Sequence, residues 1–365
     1  MPHRRLEQLL ERARSGGFET IVLMPGPNLF YFTGMTFHIS ERPVLAIFKT
    51  DGRAGAIVPV LESTTTESAV HPATPYAYSD EAGYEPAFAE ACAALDLAGQ
   101  RIGVEALQMR FLEMRALERH APGCELLPAE DLLADLRMCK DATDIAAMRQ
   151  AIEFTQDGLD AAVGQIKAGM TEREVVSLLT MEMLRAGAER LAFAPLVVAG
   201  PNAASPHASA SDRRINPGET IVIDCGAAYA EYNGDITRTF SVGPLDAELA
   251  QVYEIVKAAN QAGRDAVRPG VTAESIDQAA RAVIDGAGYG EFFFHRTGHG
   301  LGLEIHEPPY MVAGNQLVLT SGMVFTVEPG IYLPGRGGVR VEDDVLVTES
   351  GGESLTTFPR KFRAL

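Results

Sequence analysis

Among the 365 residues, no apolar run approaches the roughly 20 that a membrane-spanning helix needs. The opening segment MPHRRLEQLLERARSGG also lacks the apolar stretch of a secretory signal. A soluble, unexported chain is expected, with the cytoplasm as its compartment. Cysteine is scarce as well. Cys92, Cys124, Cys139 and Cys225 show no CxxC spacing, so neither a zinc knuckle nor a disulfide framework is indicated. Cys225 follows Asp224 without a surrounding nucleophile motif and reads as a small core residue. Basic side chains are outnumbered, 31 against 49 acidic for a net charge of −18, which argues against the clustered Lys and Arg of a nucleic-acid surface. Neither nucleic acid nor membrane is an expected partner. Low-complexity tracts and short-period repeats are absent too.

What is present suffices for two full cores: 46% of the residues are hydrophobic, and the length suits two domains. The chain divides near residue 140, into 1–135 and 136–365. In the first part, apolar runs at 20–24, 43–49 and 54–60 alternate with helical patterns at 3–15, 84–98 and 107–120, which predicts an α/β layer. Helix 3–15 sets Leu6, Leu9, Leu10 and Ala13 on one face and stops at Gly16-Gly17. In the second part the periodicity is helical over about 142–168, with Gly169 as the stop. Thr171-Glu172-Arg173-Glu174 forms a capping box for the next helix. Further helices are predicted near 245–268 and 273–288, interleaved with strand-like segments. Helices segregated from a hairpin-rich, mainly antiparallel sheet predict α+β.

Those strand-like segments carry the chemistry. Asp224 in TIVIDCG, Asp235 in YNGDITRTF, His299 in HRTGHGLGLEIHE, Glu328 in FTVEPG and Glu342 in GVRVEDD together form a donor set able to hold two divalent cations and leave a position for an activated water. A single Asp at a strand end is commonly a turn former. Glu328, however, leaves the buried-looking run MVFTV, and Asp224 leaves IVI. A buried carboxylate must be paired or coordinate a metal. Between the first two carboxylates, TIVID and Tyr232-Asn233-Gly234 read as a hairpin turned by Asn-Gly. A nucleotide loop at Gly298-His299-Gly300-Leu301-Gly302 is disfavoured because no Lys-Ser/Thr follows, and His306-Glu307 lacks the second histidine of HExxH. The glycines are expected to let backbone pass close to the cations.

Taken jointly, DCGAAYAEYNGDITRTF, HRTGHGLGLEIHEPP, VFTVEPGIYLPGRGGVRVEDD and SPHASASDRR resemble the metallopeptidases of the methionine aminopeptidase, aminopeptidase P and prolidase superfamily. NLFYFTG at 28–34 is similar to a stretch of the prolidase and creatinase N-terminal domain. The resemblance implies a pita-bread catalytic domain of two pseudo-symmetric halves behind a smaller α/β domain. It implies two divalent ions, manganese, cobalt or zinc, with Asp224 on one, Asp235 and Glu342 bridging, and His299 with Glu328 completing the second. It also implies that His207 and His306 bind the scissile carbonyl, that Glu328 moves the proton, and that the substrates are proline-containing dipeptides or short peptides cleaved after Xaa in Xaa-Pro.

Prolidases often carry an arginine soon after HExP, where this chain has Pro309-Tyr310-Met311. The carboxylate of a dipeptide would then be read by Arg42 or His38 of FHISERP, a segment that lies near the partner's site in related dimers, or by Arg336. Phe193, Tyr310 and the two histidines are candidate walls for the pyrrolidine, and His295 is either a supporting or a structural residue. A homodimeric Xaa-Pro dipeptidase is the expectation and aminopeptidase P the alternative. A creatinase-like hydrolase without metals and an inactive peptide-binding module are remoter, because no ligand of the set is missing.

Overall fold

In the computed structural model, which describes residues 2–67 and 73–365, the three apolar runs of the first part pair side by side. Thr20–Leu23, Leu45–Lys49 and Ala54–Pro59 form an antiparallel meander. Parallel strands Arg101–Val104 and Glu125–Pro128 extend it on one side and Thr74–Tyr78 on the other. Helices are Pro2–Ser15, Glu85–Ala94 and Phe111–His120, shorter than the sequence pattern at several ends. Leu6, Leu9 and Ala13 are buried as their spacing predicts. The segment 28–34 is a short helix, Pro27–Thr33, with Pro at its start and Gly34 as its left-handed cap. This unit runs to Arg137, and a second compact unit spans Met138–Leu365.

The second unit repeats one plan twice. Helices Ala142–Val163 and Glu172–Ala186 precede a sheet of Leu196–Ala199, Thr220–Cys225 and Ile236–Ser241. Helices Ala247–Ala266 and Ala273–Gly286 precede one of Glu307–Met311, Gly298–Gly300, Val324–Val327, Asp343–Val347 and Gly352–Ser354. Every described pair of these strands is antiparallel, so the α+β, two-half pita-bread architecture is the one found. The caps follow the sequence: Thr171 accepts from the Glu174 amide at 3.1 Å while Glu174 accepts from the Thr171 amide at 2.7 Å. The first long helix, though, ends at Val163 with Gly164 as its cap, not at Gly169. The chain turns early so that Ile166 enters the core, and Gly169, at φ +88, serves the following turn.

The hairpin between the first two carboxylates also differs from expectation. The chain reverses at Ala230-Glu231, both at positive φ, between Tyr229 and Tyr232. Asn233 is on the returning strand, where its amide donates to the Gly302 and Leu303 carbonyls at 2.9 and 3.0 Å. Those two acceptors outweigh its preference for a turn.

Candidate active site

Strand register brings the acidic residues together. Asp224, near the end of Thr220–Cys225, lies opposite Thr237, and Asp235 precedes the same partner strand. Val327 lies opposite Asp343, so the next residue on each side, Glu328 and Glu342, emerges at the same end of the second sheet. The Glu342 amide donates to the Thr237 carbonyl at 3.1 Å, linking the two sheets beside the acids. His299 is the middle residue of Gly298–Gly300. Its flanking glycines are demanded by neighbouring strands: a Cβ on Gly298 would stand 1.8 Å from the Thr326 carbonyl oxygen, and one on Gly300 would stand 2.3 Å from that of Pro308. The close approach the glycines allow is therefore strand to strand.

These side chains line a cavity of about 350 Å³ together with Phe193, Ile305, His207, His306 and Arg340. Donor atoms of Asp235, His299 and Glu342 lie within 4.8 Å of one another. His299 Nε2 is 3.4 Å from Glu328 Oε1 and 3.9 Å from Asp235 Oδ2. Oδ1 of Asp224 and of Asp235 are buried without a hydrogen-bond partner. Leaving such oxygens unpaired is costly, and an oxygen-rich set with one imidazole is the coordination chemistry of a divalent transition metal. The residues present fit metal ions.

Around the acids runs a continuous hydrogen-bond chain. Arg340, only 3% exposed, donates to Asp224 Oδ2 at 2.5 Å, to Thr237 Oγ1 at 3.1 Å and to the Tyr332 hydroxyl at 3.0 Å. Thr237 donates to Glu342 Oε2 at 2.5 Å. His295 Nδ1 faces the Arg296 carbonyl at 2.7 Å, so it carries the proton, and Nε2 accepts from Tyr332 at 2.8 Å. One oxygen of Asp224 and one of Glu342 are thus fixed by the fold.

Electrostatics follow from crowding. Burial, then the neighbouring Glu342, Asp224, Asp344 and Glu328 carboxylates, hold the Asp235 pKa well above the ordinary range. Burial and then Glu328 and Asp224 do the same to Glu342, and burial pushes Glu328 up to about 7. Burial lowers His299 to about 3, with His306 adding to the effect, and His295 to about 4. Both imidazoles are neutral at physiological pH, as a metal ligand must be.

Comparison with known proteins gives the family. The profile of metallopeptidase family M24 matches residues 146–349, and that of the creatinase/prolidase N-terminal domain matches 5–139. The chain belongs to metallopeptidase family M24. An Xaa-Pro dipeptidase of Pyrococcus horikoshii is 35% identical, over 98% of both chains. The crystal structure of a dipeptidase from the same organism superposes with a TM-score of 0.94 at 36% identity, covering 99% of this chain and 100% of that one. An X-Pro aminopeptidase from Thermotoga maritima gives a TM-score of 0.87 at 32% identity, covering 99% of each.

Within this M24 chain the other candidates are unevenly placed. His207 and His306 both line the cavity, and the His306 ring stands edge-on to His299 at 4.2 Å between centroids. Phe193 is a wall residue, as expected. Tyr310 is not among the lining residues; it lies opposite His299 in register, under the Arg296 guanidinium at 4.6 Å. Arg336 also lies off the cavity, held by Asp246 at 2.8 Å and by Glu248. Its two surface carboxylates explain why it does not turn inward. In the N-terminal unit His38 is exposed, and Arg42 makes two hydrogen bonds to Asp80 at 2.8 and 2.7 Å. Arg340, Thr237, Tyr332 and Arg296 were not singled out from the sequence. The signal for the first two was strand parity: Arg340 shares a face with Glu342, and Thr237 shares one with Asp235.

Proposed function

We propose that this chain is a metal-dependent Xaa-Pro dipeptidase, with Asp224, Asp235, His299, Glu328 and Glu342 holding two divalent ions. The observation that carries the reading is the convergence of four carboxylates and a neutral imidazole on one cavity, with carboxylate oxygens left unpartnered. When bound, divalent ions supply Lewis acidity to the scissile carbonyl and to the attacking water. The chain's own groups do the rest. Glu328 takes the proton of the attacking water and passes it to the departing proline nitrogen. His207 and His306 hydrogen-bond the carbonyl oxygen as negative charge develops there. The imide nitrogen of an Xaa-Pro bond has no N–H to satisfy, so apolar walls such as Phe193 and Ile305 suit the pyrrolidine. Arg340 and Thr237 keep Asp224 and Glu342 oriented.

The name borne by the Pyrococcus relative supports dipeptides as the substrate class. A side-by-side assay of Ala-Pro and Ala-Pro-Ala with added manganese, cobalt or zinc tests it. Much faster cleavage of the dipeptide is expected. Equal or faster release of alanine from the tripeptide would make the chain an aminopeptidase P.

A homodimer belongs to the same proposal. Ile39, Val60, Leu61, Leu107 and Phe111 are large apolar side chains exposed on the N-terminal unit, and a second copy would cover such surface. Four free cysteines suit a reducing cytoplasm.

A further inference from the structure

Arg296 stands in the cavity wall beside Glu328, His306 and His207, yet no carboxylate pairs with it among the described residues. Other candidate cations are already engaged: Arg336 by Asp246 and Glu248, Arg42 by Asp80, and Arg340 by Asp224. A guanidinium in a substrate cavity without a protein anion is a place for an anion of the ligand.

Its mounting favours that use. The guanidinium lies over the Tyr310 ring at 4.6 Å, and stacking occupies the flat face while leaving the edge N–H groups free to fork onto a carboxylate. Tyr310 is the register partner of His299, so the cation is tied to the strand pair that carries the imidazole of the acid cluster. In an Xaa-Pro dipeptide the free carboxylate is carried by the same proline whose nitrogen is scissile, and its reader must sit beside the cluster. Of the two guanidinium groups that line the cavity, Arg340 is paired with Asp224, which leaves Arg296 for an anion of the ligand.

We propose that Arg296, stacked on Tyr310, receives the terminal carboxylate of the substrate and thereby sets the preference for dipeptides. This rests on the Xaa-Pro reading above. The test compares Ala-Pro with Ala-prolinamide, which lacks the anion, in the metal-loaded wild type, Arg296→Ala and Arg296→Lys. For Arg296→Ala, the KM for Ala-Pro should rise by about 10²-fold with kcat little changed, while kcat/KM for the amide stays within a few-fold. Inhibition by free proline should weaken in parallel, and inhibition by prolinamide should not. Arg296→Lys should recover part of the loss, since an ammonium supplies charge without the fork. If both substrates lose kcat/KM equally, or if the acid-to-amide ratio is unchanged, Arg296 does not read the carboxylate. A wild type that cleaves neither substrate would instead remove the Xaa-Pro reading, and the proposal with it.

Discussion

Three consecutive acids, Glu342, Asp343 and Asp344, are each 1% exposed or less, yet their surroundings are opposite. Glu342 faces the cavity with three other carboxylates, and Arg340 is the cation set among them. Asp343, one residue on and pointing the other way, is ringed by guanidinium groups: Arg238 at 2.6 Å, Arg264 at 3.0 Å and Arg360 at 3.7 Å. Asp344 returns to the first side and accepts the Asp235 amide at 3.0 Å. The strand's two-residue period thus separates an anion-rich face from a cation-rich one within a few ångström. One face is satisfied by the fold itself. The other has Arg340 paired with Asp224 but leaves its remaining carboxylates to positive charge from outside, which distinguishes a site built for binding from one built for stability.

Removing charge from the binding face should give the largest effect. Asp235→Asn or Glu342→Gln is expected to lose most bound metal and essentially all hydrolysis, while the fold persists because both variants relieve repulsion. Elemental analysis, turnover and a melting curve check this together. Full metal occupancy with near-native turnover in either variant would refute the ligand assignment.

On the structural face the expected cost is in stability. Arg238 is buried and also donates to the Glu342 and Phe358 carbonyls at 2.5 and 2.7 Å. Arg238→Met strands part of the Asp343 charge and those acceptors, and should destabilise the protein by about 3–5 kcal/mol. Removing the partner as well, in Arg238→Met with Asp343→Leu, should cost less than the single change. Chemical denaturation of the metal-free protein would measure both. A double variant no better than the single one would show that the arginine's carbonyl contacts, rather than the ion pair, dominate.

Much of this was legible in the sequence where local chemistry decides. The capping box at Thr171 and the carboxylates leaving buried strands are each fixed by a few neighbouring residues, and both lie where the pattern puts them. What the sequence could not place depends on distant partners. Asn233 turns no hairpin because carbonyls about seventy positions away capture its amide. Arg336 faces outward because Asp246 and Glu248 are within reach. Arg296 gained significance only when Tyr310, fourteen positions on, was found beneath it. Side chains whose role is set by long-range packing have no local signature.

The smallest expected effect is a difference in pH dependence, and its sign separates the metal-free from the metal-loaded protein. In the metal-free protein Glu328 is raised to about 7, and Asp235 and Glu342 are raised well above the usual range. The folded state therefore holds protons that the unfolded chain has released, and stability should fall as pH rises through those values. The depressed His295 and His299, at about 4 and about 3, act in the opposite sense, but mainly below the ordinary histidine value of 6.5. The window to use is thus pH 6.5 to 8, over which the unfolded-state histidines shed only the remaining half of their protons and their opposing contribution is small. There the metal-free protein should lose on the order of 1 kcal/mol. With metal bound, stability should instead hold or rise across the same window, because protons compete with the cations for the carboxylates. Unfolding of metal-free and metal-loaded protein at pH 6.5 and 8 decides it: parallel pH trends in the two forms would mean that these carboxylates are not where the cations bind.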